Sequence, residues 1–282
     1  TYATVMANQT AQDYTAIPVT LPPSGLSCTS LQPKPLTAGT GEKPQSKVWN
    51  YNGTWYAVFP TSASGATSAG TWLWKLEDTS WTEVLKLSTR TDVKADTKSL
   101  GNMVHILLYA GTNTELVSAE YSGGTYQLWT SRPLASPISL SGSEIATIDI
   151  DSTGRMWLAT ESDAAGQMVA YYSDSPYSTW SAPITLATGV NNDDISVVVK
   201  LPNQIGILWS NQNTRRFGFR VHNDADAPGV WAADEVPASQ SALDVGLGMA
   251  DDHLNVKVAS DGTLYAAAKT SYDTPGSPKV VL

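Results

Sequence analysis

The chain has 282 residues, of which 41% are hydrophobic and only 15% charged, and it carries 10 Trp and 12 Tyr. A net charge of −9 argues against nucleic-acid backbones and anionic membranes as partners, since both require a basic face. The one cysteine, Cys28, excludes an intramolecular disulfide, a zinc ribbon and a CxxC redox pair; no apolar run reaches the ~18 residues of a membrane span, so no membrane insertion is expected.

Residues 1–40 read as an N-terminal extension. Within it, Pro18-Val-Thr-Leu21 repeats a pattern found again at Pro137-Ile-Ser-Leu140 and Pro183-Ile-Thr-Leu186. Proline removes a ladder donor and is tolerated on an edge strand, so 14–21 is expected to be an outer strand that closes a ring.

Five segments then share one pattern, a Gly or Asn turn followed by a short apolar run: Gly53 to Phe59, Gly101 to Leu107, Gly154 to Thr160, Asn203 to Trp209 and Gly262 to Ala268. Their starts lie 48, 53, 49 and 59 residues apart, a period that belongs to propeller blades rather than helical solenoids. Runs this short, rich in branched and aromatic side chains, predict central strands. Third strands are expected at Thr71 to Leu76, Met168 to Tyr172 and Arg216 to Val221, and Trp81, Tyr126, Trp180 and Trp231 are expected to open fourth strands. The fold class is therefore all-β: a β-propeller of four-stranded blades with five repeats, at about 41–90, 91–141, 142–190, 191–248 and 249–282. The alternative is part of a six- or seven-bladed ring. A single sheet of this size cannot bury both faces, and radial stacking solves that.

Asp174-Ser-Pro-Tyr-Ser-Thr-Trp180 and Asp224-Ala-Asp-Ala-Pro-Gly-Val-Trp231 resemble degenerate Asp-boxes, the hairpins of sialidase-type propellers. The first has Ser175 where that motif has Asp, and the second shifts its Gly. Residues 41–282 also resemble a group of exported bacterial and fungal propellers that contain Lys-Pro-Gln-Ser-Lys (43–47), Asp-Asp-Ile-Ser (193–196), Trp-Ser-Asn-Gln (209–212) and Ala-Asp-Asp-His (250–253). The resemblance implies fold and export, to the extracellular space or cell surface, and implies no activity. Sialidase chemistry itself is disfavoured by the sparse arginines.

Propellers place ligands where inner strands converge. Counting back ten residues from each turn anchor gives Lys43, Thr91, Glu144, Asp193 and Asp252, with Asp92, Asp194 and His253 one step on. Such carboxylates could serve a glycosidase, with Glu144 as acid and Asp92, Asp193 or Asp252 as base or tuning partner. The layout resembles five-bladed arabinanase-like glycosidases, from which the first blade departs by offering Lys43. His253, beside Asp251 and Asp252, is a residue that a polysaccharide lyase would use as base or charge neutraliser, together with a nearby tyrosine. Lys43, Gln45, Asp194, Asp251, Trp209 and Asn211 are candidate ligand contacts, the indole for stacking on a sugar and the amides for its hydroxyls. The competing reading is that these aspartates make turn bonds and tie blades together.

Asp224 and Asp226, and less so Asp149 and Asp151, have the Asp-x-Asp spacing that lets two carboxylates face calcium; no other cofactor is indicated. Asn8 and Asn52 fit the N-glycosylation pattern. The expected partner is a carbohydrate or polysaccharide, bound or cleaved at the channel mouth. A structural or adhesive scaffold without catalysis is the alternative, and oligomeric state is not legible.

Overall fold

The computed structural model describes residues 30–38, 43–141, 144–162 and 165–282. Its described residues form five antiparallel sheets and two single-turn 3-10 helices, Gly111–Asn113 and Ser239–Ser241. The first sheet runs β1 (Val48–Tyr51), β2 (Thr54–Thr61), β3 (Gly70–Glu77) and β4 (Ser80–Ser88). The second holds β5 (Lys94–Leu100), β6 (Met103–Tyr109), β7 (Thr114–Ser122), β8 (Thr125–Leu128) and β9 (Ser136–Ile138), with β8 and β9 sharing the outer edge of β7. The third runs β10 (Ala146–Ile150), β11 (Met156–Ser162), β12 (Gln167–Ser173) and β13 (Ile184–Thr188). The fourth is β14 (Ser196–Leu201), β15 (Gln204–Asn211) and β16 (Arg216–Asn223), and the fifth β17 (Leu254–Val258), β18 (Leu264–Lys269) and β19 (Val280–Val281).

Turn chemistry sets these registers. Tyr51 faces Thr54, so Asn52 and Gly53 alone make the loop, with φ of 50° and 79°. Both central residues of such a tight hairpin need positive φ, which Asn-Gly supplies at low cost. All five predicted apolar runs after the turns are strands β2, β6, β11, β15 and β18.

Packing shows how the sheets are arranged. Four buried clusters each join two consecutive sheets: Trp49 and Val58 pack with Val104 and Ile106, Leu107 with Ile148, Trp157 with Ile207, and Leu208 with Leu254. Each sheet thus buries one or both faces against its sequence neighbours, the radial arrangement of a propeller. The inner strands β1, β5, β10, β14 and β17, or the residues just preceding them, all line one central cavity of about 830 Å³. No cluster joins the fifth sheet to the first among the described residues. The expected closing strand at 14–21 lies outside them, as do Cys28 and Asn8.

Polar side chains set the relative height of the inner strands. Asp96, 4% exposed, accepts the Ser46 N–H at 2.7 Å and the Ile148 N–H at 2.8 Å, so one carboxylate holds blades on both sides of its own. Thr147 Oγ1 accepts the Val198 N–H at 3.0 Å, and Asp149 accepts the Lys200 N–H at 2.9 Å. Burial pushes the Asp96 carboxyl up to about 7 against the two backbone donors.

Two expectations about outer strands fail. Trp180 precedes β13 rather than opening it, and no fourth strand follows Trp231 among the described residues of the fourth sheet. There the Asp234 side chain takes the Phe219 N–H at 3.0 Å, replacing a strand carbonyl. Trp231 instead stands edge-on to Trp157, with ring centroids 5.3 Å apart.

Candidate functional site

All five inner strands run from the same end of the channel, here termed the front mouth, so the residues just before them gather there. Lys43, with its side chain 8% exposed and φ of 39°, donates from Nζ to Glu144 Oε2 and to Asp252 Oδ2. Glu144, Asp193 and Asp252 each place a carboxylate oxygen within 4.8 Å of the others. Blades one, three, four and five therefore meet at this mouth. Burial works to discharge the Lys43 ammonium, but its bonds and attraction to Asp252 and Glu144 prevail and raise its pKa above the ordinary value.

His253 extends the cluster. Its Nδ1 lies 2.8 Å from Asp251 Oδ1 and 2.6 Å from Asp252 Oδ1. Its side chain is 52% exposed. A neutral imidazole donating from Nδ1 keeps the Nε2 lone pair as an acceptor or base. Asp251 also accepts from Ser271 Oγ at 2.8 Å and pairs with Lys269 Nζ at 3.1 Å. Burial opposes ionisation of Asp251, but hydrogen bonding with Asp252, Ser271, His253 and Lys269 holds its carboxyl well below the usual carboxylate range.

Other candidates do not join this mouth as free groups. Asp92 is ion-paired with Arg90 at 2.8 Å on an exposed loop, which lowers its pKa; the second blade instead sends Lys94 Nζ to the Glu144 carbonyl at 3.2 Å. Asp194 is 1% exposed and spends its carboxylate on the N–H groups of Asn191 and Gln212. Gln45 donates to the Ala146 carbonyl at 3.0 Å, tying the first blade to the third. Asn211 caps the turn at the Thr214 N–H, 3.0 Å away. Trp209 is 1% exposed within the cluster between the third and fourth sheets, so neither ring face is open to a sugar.

Asp224 and Asp226, the expected calcium pair, each accept a hydrogen bond from the protein. Asp224 accepts the Ser152 N–H at 2.9 Å across the blade boundary, and Asp226 accepts from Asn223 Nδ2 at 2.9 Å. Asp151 likewise is filled by Thr153, Arg155 and Trp157. The carboxylates of Glu144, Asp193 and Asp252 have the donor type for a hard cation, but the Lys43 ammonium already serves Glu144 and Asp252.

Sequence reasoning missed the polar residues further along the strands. Lys47, Lys98, Lys200 and Lys257 all line the cavity with Asp96 and Asp149. Their signal was charge interrupting apolar inner strands, as in Ser196-Val-Val-Val-Lys-Leu201.

No family model and no curated protein matches the chain. Among solved structures, it is similar to a xylan beta-1,4-xylosidase from Bacillus halodurans, at 14% identity and TM-score 0.45, over 83% of this chain and 50% of that one. It is similar to an endo-1,4-beta-xylanase from Bacteroides thetaiotaomicron, at 14% identity and TM-score 0.48, over 81% and 84%. It is also similar to an ulvan lyase of polysaccharide lyase family 25, at 11% identity and TM-score 0.47, over 82% and 66%. The chain spans about half the length of the first of these structures. Likeness at this level carries no argument about activity, and the propeller assignment rests on the sheets and their packing.

Proposed function

We propose that the chain is an exported carbohydrate-binding propeller that takes its ligand at the front mouth. One observation carries this reading: Lys43, Glu144, Asp193, Asp252 and His253, drawn from four blades, converge as interleaved donors and acceptors. Sugar hydroxyls both donate and accept, so a mouth of mixed polarity fits them better than it fits a cation or a polyanion. Export is supported by the low charge and polar composition.

Hydrolysis is less well supported. It requires one carboxyl group to stay protonated beside an ionised partner, with separations of about 5 Å or more. Here a single ammonium bonds to both Glu144 and Asp252, so both side chains are engaged with Lys43 rather than free to act on a substrate. A second reading, base-catalysed elimination on a uronate-containing polymer, is favoured by the clamping of His253 Nδ1 between Asp251 and Asp252.

A glycan array followed by calorimetry with the intact chain tests the binding reading. Saturable binding to at least one glycan, weakened by roughly tenfold or more in D252N or H253A, is the expected result. No binding across neutral and acidic glycans would remove it in favour of a scaffold. Unsaturated product from a uronate polymer, abolished in H253A, would establish elimination.

A further inference from the structure

The boundary between the fifth and first sheets is unlike the other four. A buried cluster fills each of those, and none fills this one among the described residues. Trp49, Tyr56, Val58 and Leu73 turn one face of the first sheet to the second, so strand alternation puts Trp55, Trp72, Trp74 and Trp81 on the opposite face. Four of the ten tryptophans thus stand where a neighbouring layer belongs. On that face Trp55 is 50% and Val48 47% exposed. The fifth sheet is open as well: it ends at the two-residue strand β19, where Val280 is 66% exposed and no described residue pairs with the outer edge.

The chain itself leads into this boundary. Residues 30–37 cross the tryptophan face of the first sheet. There Gln32 N–H donates to the Thr79 carbonyl at 2.7 Å, Thr37 N–H donates to the Pro60 carbonyl at 3.1 Å, and Lys34 Nζ stands 3.6 Å from the ring centroid of Trp74, which is fully buried. Everything upstream of Ser30 is therefore tethered here.

A sequence pattern in that upstream stretch has a known position elsewhere in the fold. Pro137-Ile-Ser-Leu140 lies on β9 and Pro183-Ile-Thr-Leu186 on β13, both outer strands of their sheets. In each copy the proline is exposed, while the isoleucine and leucine pack toward the following sheet: Ile138 and Leu140 toward the third, Ile184 and Leu186 toward the fourth. Pro18-Val-Thr-Leu21 repeats the pattern, and Ile17 extends its apolar alternation.

We propose that residues 14–21 dock on the open edge of the fifth sheet beside β19, turn Val19 and Leu21 onto the tryptophan face of the first sheet, and so close the ring. Pro18 and Thr20 then face outward, as Pro137 and Thr185 do. Leu21 and Ser30 are nine positions apart, a reach of up to about 30 Å. That is enough to run back along an eight-residue strand of about 26 Å and enter the observed path at Gln32. Lys43 and Asp252 belong to the two blades joined in this way, so the docked strand also holds the front mouth together.

Hydrogen–deuterium exchange of the full chain tests this. Amides of residues 17–21 should exchange at least about a hundredfold more slowly than in a free peptide of the same sequence. The double variant V19D/L21D should remove that protection, speed exchange at β19 and β3 by about tenfold or more, and lower the urea midpoint; β10 to β13 should be unaffected. T20D, at an outward position, should match the wild type in every measurement. Sedimentation should give a monomer. Free-peptide exchange rates at 17–21 in the wild type, or equal effects of V19D/L21D and T20D, would overturn the proposal. Protection that disappears on dilution as a dimer dissociates would also overturn it, by giving the tryptophan face to a second copy. The wild-type rates decide the question even where V19D/L21D fails to fold.

Discussion

Lys43 and Glu144 lie 101 positions apart and form an ion pair that bypasses the whole second blade. The same ammonium reaches Asp252, 209 positions away. This residue therefore acts as a clasp between blades one, three and five. Replacing Lys43 with Met leaves two partly buried carboxylates without their shared cation, and uncompensated charge is costlier than the pair is stabilising. K43M should lower stability by about 2–3 kcal/mol in urea unfolding. Adding E144Q should restore part of that loss, so the double-mutant cycle should be strongly non-additive. Additive losses would mean that the clasp carries no energy.

Asp96 predicts an unusual pH response. Its carboxyl is pushed up to about 7 by burial, while an unfolded aspartate titrates near ~3.9. Between those values the folded chain holds the extra proton, so this group makes stability fall as pH rises from about 4 through 7. D96N keeps the shape but does not titrate, and its stability profile should lose that decline. D96A leaves the Ser46 and Ile148 N–H groups unpaired and should cost about 2–4 kcal/mol at every pH.

His105 works in the opposite direction. It is 3% exposed, bonds through Nδ1 to Ser118 Oγ at 2.8 Å, and stands edge-on to Tyr177 and Trp129. Burial, aided by the Arg132 charge, depresses its pKa to about 4. Unfolded histidine takes its proton near ~6.5, so this group makes stability fall as pH drops from about 6.5 to 4. The two windows overlap and their slopes oppose. H105Q should therefore expose the Asp96 slope and D96N the His105 slope, each read from urea midpoints across that range. Identical profiles in wild type and both variants would refute the pair of assignments.

The blade repeat was legible because a hairpin turn must solve the same backbone problem each time, and Asn52-Gly53 or Gly101 announces it. Front-mouth residues were legible for a related reason: a fixed distance upstream of each turn is a fixed height in the channel, which placed Lys43, Glu144, Asp193 and Asp252 together. Asp92 failed that count because Arg90, two residues away, captures it. Height alone could not reveal which carboxylates serve backbone N–H groups, as Asp194 and Asp96 do, since those partners come from turns and neighbouring blades. Trp231 misled because an aromatic that packs between blades and one that opens a strand look alike in sequence.

Trp209 and Gly218 test the same ambiguity from inside the core. They face each other across β15 and β16, and a Cβ built on Gly218 would stand 2.1 Å from the Trp209 ring carbons. Glycine in a strand often marks such a close approach, so the indole lies across the glycine rather than toward the channel. G218A should destabilise the protein by about 1–3 kcal/mol through overpacking. W209A should cost about 3–5 kcal/mol through the cavity it leaves. In the double variant the alanine methyl no longer meets the ring, so the combined loss should be smaller than the sum, a coupling read from urea unfolding of the four proteins. If Trp209 instead contacted ligand, W209F would reduce glycan affinity at unchanged stability; the packing predicts reduced stability at unchanged affinity.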